Sequence, residues 1–203
     1  QYACLADIKL VVRGGKVISR SLSGEVESFG SENYDTAMEE AFKSDYEKVR
    51  DFNASHVGEV KKDLVSREFY YRQCDYMNFL HALAFSAWPV DISLSATLLI
   101  DGKVPAGEVR YQDIRKIYPY DNKLIVLRLT GAEILRYLEA SYDAWISTVP
   151  GPAEGTHVLR ITQTKDYATG GLKWKLAKSP ANFDSAAGIR YTVDVTKPYG
   201  SRV

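Results

Sequence analysis

The residues best placed to meet a ligand form a five-residue turn, Tyr118-Pro119-Tyr120-Asp121-Asn122. Pro119 fixes its own φ and biases Tyr118 towards an extended backbone. An aromatic ring held this way can be presented to a ligand, or it can form a packed corner of the core, and residue types alone leave both readings open. No other stretch marks out a reaction. His56, His81 and His157 are isolated, with no HxH, DxH, HExxH or CxxC spacing to hold a metal. There is no GxSxG elbow, Walker loop or GxGxxG fingerprint. Gly14-Gly15 and Gly170-Gly171 read as hairpin turns rather than phosphate cradles. Acidic residues are plentiful, but no pair is set apart for acid–base work. Nothing in the chain is equipped to activate water by itself.

The elements that must hold the turn lie on either side of it. Residues 123–129 are nearly continuous β-formers, which predicts a strand buried on both faces. Thr130-Gly131-Ala132-Glu133 reads as a capping box opening a helix. Leu135, Leu138, Tyr142 and Trp145 then make an i, i+3, i+7, i+10 stripe along it. Ahead of the turn, Tyr76, Leu80, Leu83 and Ala87 space helically from Asp75 to a stop at Pro89. His81 lies near that face and reads as a packed or surface residue. Strands are expected at residues 58–67, 91–95 and 98–100, and a short helix at 112–117. After the turn, residues 157–164 and 172–176 predict a hairpin with Trp174 as its apolar anchor, beyond a Pro/Gly-rich loop at 150–155. Ile189, Tyr191, Val193 and Val195 alternate with polar residues, as a strand buried on one side does.

The N-terminal part has a different character. Ile8, Leu10 and Val12 alternate with polar residues up to Gly14-Gly15, and Lys16-Val17-Ile18 follow, which predicts a hairpin over residues 6–29. Residues 31–33 are turn formers. Residues 34–54 predict a charged helix with Met38, Phe42, Tyr46, Val49 and Phe52 on one face and Asp35 or Thr36 as its cap. It is either a solvated spacer or an ordinary surface helix.

The 203 residues carry 26 basic and 26 acidic side chains. This balance gives no global field to attract a nucleic-acid polymer or a membrane surface. No apolar run approaches the ~20 residues needed to cross a bilayer. The start, Gln1-Tyr2-Ala3-Cys4, lacks a signal-peptide pattern and an initiator Met, so the chain reads as a mature protein or an excised fragment. Cys4 and Cys74 are either one disulfide or two free thiols.

Two blocks carry a resemblance. Tyr118-Pro119-Tyr120-Asp121-Asn122-Lys123-Leu124, with Leu129-Thr130-Gly131-Ala132-Glu133-Ile134 and Leu138-Glu139, resembles the "PF-x-N-x-L … LTG-x-E-(I/L) … LE" signature of the 5'-nucleotidase / UDP-sugar hydrolase family, C-terminal domain. The likeness resumes over residues 182–194 (NFDSAAGIRYTVD) and at Gly200-Ser201-Arg202-Val203, in a form similar to a divergent bacterial branch. It implies an α+β (mixed α/β) fold with residues 58–203 as the C-terminal, substrate-binding domain. Residues 1–30 would be the tail of an N-terminal metallophosphoesterase domain and 31–57 a linker helix. Two divalent metal ions would sit in that missing domain, upstream of Gln1, with no cofactor in this chain.

The resemblance further implies that Tyr120 stacks on a nucleobase and that Asn122 hydrogen-bonds it. Arg72, in Tyr71-Arg72-Gln73-Cys74, is either a substrate-phosphate contact or an exposed arginine on a solvated loop. Two departures stand out. The family's N-G-G-G-I-R loop should fall near residues 95–101, which here read SATLLID, without the glycines or the arginine. The family also continues past Val203 with strands and a second stacking aromatic. The implied function is the nucleotide-binding part of an extracytoplasmic (periplasmic or cell-surface) hydrolase, a 5'-nucleotidase or 2',3'-cyclic-nucleotide phosphodiesterase, inactive as this piece alone. The alternatives are a non-catalytic nucleotide-binding module with a divergent pocket, or a structural domain with a degenerate one.

Overall fold

Gly14 and Gly15 both take positive φ, 58° and 73°, as the two-residue hairpin turn that matches strand twist requires. They join β1 (Tyr2–Arg13) to β2 (Lys16–Ser28), antiparallel in a register running from Tyr2 opposite Ser28 to Arg13 opposite Lys16. In this computed structural model the described residues are 2–28, 30, 35–149, 151 and 157–203. The expected turn at 31–33, most of the loop at 150–155, Phe29 and Tyr34 lie outside them. Helix α1 (Thr36–Asn53) is capped by Asp35, whose Oδ1 accepts from the amides of Ala37 and Met38, each at 3.0 Å. Its apolar stripe, Met38 to Phe52, is exposed, like both strands of the hairpin. Chain contacts divide the molecule into residues 1–51 and 52–203.

The second unit is α+β, built from short antiparallel strand pairs around one aromatic core. Strand β3 (His56–Val60) pairs with β7 (Gly107–Arg110), β4 (Leu64–Val65) with β6 (Lys103–Val104), β5 (Ser93–Ala96) with β10 (Asp184–Ala187), and β8 (Ile161–Lys165) with β9 (Leu172–Leu176). Helix α2 (Asp75–Ala87) buries Tyr76, Met77, Leu80 and His81, while Leu83 faces out. A four-residue helix, α3 (Tyr111–Ile114), precedes the polar-aromatic turn.

Helix α4 (Gly131–Trp145) opens on the expected capping box. Glu133 N–H donates to Thr130 Oγ1 at 3.3 Å and Thr130 N–H donates to Glu133 Oε2 at 2.7 Å. Leu138, Tyr142 and Trp145 are buried and Leu135 is exposed. Trp145 packs against Phe69, Tyr142 and Phe183 with ring centroids 5.2–5.4 Å apart, within the range where aromatic pairs attract. Its Nε1 has no hydrogen-bond partner among the described residues.

Several expectations are corrected. Residues 123–129 are not a buried strand: no described residue pairs with them, and Leu124, Ile125, Val126 and Leu127 are all more than half exposed. A run of β-formers becomes a strand only when a neighbour supplies ladder hydrogen bonds. Residues 189–195 likewise form no ladder, although their burial alternates as expected, with Ile189, Tyr191 and Val193 half-buried and Arg190 and Thr192 exposed. Trp174 does not anchor the second hairpin; it lies on an outward face of β9 and is 59% exposed. Residues 98–100 also form no strand. Cys4 and Cys74 are both free thiols.

Three buried polar groups hold distant pieces together. Glu139, on α4, accepts from the backbone amides of Gly200, Arg202 and Val203 at 2.7, 2.6 and 2.7 Å. Arg202, 1% exposed, donates to the carbonyl of Ile146 at 2.9 Å, to Lys197 O at 3.2 and 3.3 Å and to Thr148 Oγ1 at 3.0 Å. Its cation thus meets carbonyls at the C-terminal end of α4, where the helix dipole is negative. His81 spans β5 and β10: Nδ1 lies 2.9 Å from Ser93 Oγ and Nε2 3.1 Å from Ser185 Oγ.

Glu139 and His81 make stability depend on acidity. Burial alone would push Glu139 up, but three amides and the Arg202 charge outweigh it and hold its carboxyl below the ordinary 4.5. Its contribution is therefore complete above that value and is lost as pH falls through the lower folded value. Glu139→Gln should destabilise by about 1.5–3 kcal/mol at pH 7, the scale of hydrogen bonds to a charged group, and the gap to the parent should narrow under acid in urea titrations. Burial pushes His81 below its ordinary 6.5. The folded state disfavours the imidazolium, so stability should begin to fall as pH drops below 6.5, before Glu139 titrates. Equilibrium unfolding at about pH 7.5 and about pH 5.5 should show this loss, and a His81→Gln variant should lack it.

Candidate functional site

The polar-aromatic turn is held from beneath by two tyrosines. Tyr76 Oη, fully buried, donates to the carbonyl of Thr97 at 3.2 Å and also bonds that of Ile117. Tyr70 Oη lies 3.3 Å from Thr97 Oγ1. Thr97 and Ile117 are thereby fixed side by side, and each is followed by a stretch that reaches the surface. Tyr118 continues from the end of α3, its amide donating to Ile114 O at 2.7 Å, and its ring is half-buried against the core. Tyr120 projects outward and is 55% exposed. Asn122 Nδ2 donates to Tyr118 Oη at 3.0 Å, which leaves its carbonyl oxygen without a described partner.

Opposite the turn, Leu98 takes a φ of 59°, the sole positive φ of a non-glycine among the described residues. Leu99 N–H donates to Thr97 O at 2.6 Å, closing a tight reversal around Leu98. A branched side chain in that conformation is strained by about 1–3 kcal/mol. This is the stretch where the sequence lacks glycines, and the backbone turns there regardless. Between Leu98 and the turn lies a cavity of ≈ 420 Å³ lined by Ser95, Leu98, Tyr118, Tyr120, Asn122 and Asp184. That volume lies within the usual range for small-ligand sites, about 300–1,000 Å³.

Asp184 is the one carboxylate on this cavity. It starts β10 opposite Ala96 of β5 and is half-buried. Tyr137 of α4 donates its hydroxyl to Asp184 Oδ2 at 2.5 Å, and Ser141 Oγ donates to the Asp184 carbonyl at 2.8 Å. Burial pushes the Asp184 carboxyl above its ordinary range, offset in part by the Tyr137 hydrogen bond. The sequence marks this residue only as part of the block 182–194; the available signal is a single acid beside Phe183, a fully buried aromatic, in an otherwise uncharged run from Asn182 to Ile189.

Of the residues singled out beforehand, Tyr120 and Asn122 meet in one cavity. Arg72 does not join them. It pairs with Glu68 at 3.1 Å and borders a separate cavity of ≈ 880 Å³, together with Arg190, Trp145 and Tyr191. Among the described residues, no arginine or lysine lines the smaller cavity. Among the described residues no group of three or more His, Cys, Asp or Glu side chains could hold a metal ion, and no helix is long and apolar enough to cross a membrane.

Comparison with known proteins fits this geometry to a family. The chain is 30% identical over 95 residues to the trifunctional nucleotide phosphoesterase protein YfkN of Bacillus subtilis, covering 47% of the chain and 6% of that protein. It is 25% identical over 96 residues to a 2',3'-cyclic-nucleotide 2'-phosphodiesterase/3'-nucleotidase of Yersinia enterocolitica, covering 47% of the chain and 13% of that protein. The chain thus spans a small part of these relatives. Its fold is shared with a Staphylococcus aureus structure assigned as a 5'-nucleotidase and solved in complex with alpha-ketoglutarate, at a TM-score of 0.65 and 17% identity over 98% of the chain and 36% of that structure. A 5'-nucleotidase precursor from Thermus thermophilus aligns at a TM-score of 0.50 and 19% identity, over 98% of the chain and 34% of that structure. Residues 56–203 match the family described as 5'-nucleotidase, C-terminal domain, and the chain belongs to that family.

Proposed function

We propose that this chain is the nucleotide-binding part of a longer phosphoesterase, a 5'-nucleotidase or 2',3'-cyclic-nucleotide phosphodiesterase. The observation that carries the proposal is Tyr120, an exposed ring tethered by Pro119 over a cavity of ≈ 420 Å³ with Asn122 beside it. A ring with little conformational freedom stacks on a planar base at low entropic cost. Asn122 is oriented by Tyr118, so its carbonyl oxygen is free to accept from the base edge. Hydrolysis in this proposal belongs to a metallophosphoesterase domain with two divalent ions, as the resemblance to the nucleotidase family implies. This chain's share is to bind and orient the base. The proposal sets the whole protein outside the cytoplasm, in the periplasm or at the cell surface. Residues 1–30 are read as the tail of the catalytic domain, 31–57 as the linker and 58–203 as the binding domain.

A second reading is favoured by one observation. The cavity wall carries no cation for a phosphate, and Arg72 borders the other cavity. A non-catalytic module that recognises the base alone would be built this way.

Titration calorimetry of the chain with AMP tests the site. Tyr120→Ala should weaken binding about 5- to 150-fold, since base–aromatic stacking is worth about 1–3 kcal/mol. Affinity unchanged by that substitution would refute the placement of the base. The chain alone should neither release phosphate from AMP nor open the ring of 2',3'-cyclic AMP. Hydrolysis that persists with a chelator would contradict the division of labour proposed here.

A further inference from the structure

We propose that Asp184 is a specificity-determining residue of the Tyr120 cavity, selecting bases that carry an exocyclic amino group over their oxo counterparts; the inference rests on that cavity receiving a nucleobase. The starting point is which hydrogen-bonding atoms the walls leave free. Asp184 Oδ2 is taken by the Tyr137 hydroxyl at 2.5 Å. Oδ1 accepts from no described residue, and Asp184 lines the cavity, so this oxygen is the one left for a ligand. Asn122 donates one Nδ2 hydrogen to Tyr118, which orients the amide, and keeps its carbonyl oxygen and its second N–H. The two side chains flanking the Tyr120 ring therefore offer acceptors, one of them a carboxylate.

A wall of acceptors discriminates by what it pairs with and by what it repels. The amino groups of adenine, cytosine and guanine are donors. Hypoxanthine and uracil put an acceptor oxygen at that position, unpaired against the carboxylate, and can offer their adjacent ring N–H to it only if the base shifts from its place on Tyr120. Tyr137 is the positioning residue. Its hydroxyl fixes the carboxylate plane from α4, while the Ser141 bond to the Asp184 carbonyl fixes the backbone. The Asp184 side chain is thus held at both ends with one oxygen directed away from its own scaffold.

AMP against IMP, and CMP against UMP, replace the amino group by an oxygen and turn the adjacent ring nitrogen from acceptor to N–H donor on an otherwise unchanged ring. Calorimetry with the full chain should show AMP and CMP binding about 10- to 100-fold more tightly than IMP and UMP, the scale of one hydrogen bond to a charged group. Asp184→Asn should collapse or reverse the ratio, because Tyr137 would hold the amide oxygen and turn the NH₂ towards the ligand. Tyr137→Phe should reduce the ratio without abolishing binding; thermal melts of both variants confirm folding. Equal affinities for AMP and IMP, or a ratio unchanged by Asp184→Asn, would overturn the inference while a Tyr120→Ala loss left the base site standing. Equal AMP and IMP with weaker 2'-deoxy-AMP would reassign the carboxylate to the ribose and also overturn it. Binding that Tyr120→Ala leaves unchanged, or no binding at all, would remove the base site and the inference with it.

Discussion

The carboxylate of Glu139, closed over three backbone amides of the chain's last residues, is the contact on which the second unit depends. It fixes the segment 200–203 against α4, and that segment delivers Arg202 to the carbonyls at the helix end. A buried guanidinium would be costly alone; here carbonyls, a hydroxyl and Asp143 at 3.9 Å surround it. The same helix carries Tyr142, bonded at 2.8 Å to Tyr191, and Tyr137 and Ser141, both bonded to Asp184. Helix α4 is therefore the spine to which the residues after 182 are attached, and through Asp184 it reaches the wall of the candidate site.

This arrangement explains why two blocks far apart in sequence carry the family's pattern together. Glu139 closes the first block and Gly200 to Val203 follow the second, and each satisfies the other's buried groups. Gly188, inside the second block, packs as tightly against the segment before β5. It takes a φ of 91°, and a Cβ there would lie 2.0 Å from the carbonyl oxygen of Asp91. The candidate site lies above this framework: Tyr70 and Tyr76 pin Thr97 and Ile117, and the residues after them, Leu98 and Tyr118 to Asn122, are free to shape a cavity.

What was legible in the sequence was local. The Gly14-Gly15 hairpin, the Asp35 cap, the Thr130–Glu133 box and the α4 stripe all follow from signals within a few residues. Tyr120 and Asn122 could be picked out because their turn is a contiguous motif. What was not legible was pairing at a distance. Residues 123–129 have the composition of a strand, but composition cannot supply the neighbour a strand needs. The bridge from His81 to Ser185 spans 104 positions, and Tyr137 to Asp184 spans 47. Neither leaves a mark in periodicity. Arg72 lies outside both blocks of the resemblance, and its side chain turns to Glu68, four residues earlier on the 3₁₀ segment that precedes it.

The central claim is that the base of a nucleotide lies on Tyr120. A crystal structure of this chain with AMP tests it most directly. The account predicts the adenine ring stacked on Tyr120, its edge facing Asn122 and Asp184. Adenine in the larger cavity beside Arg72 and Arg190, with the Tyr120 ring uncovered, would contradict it.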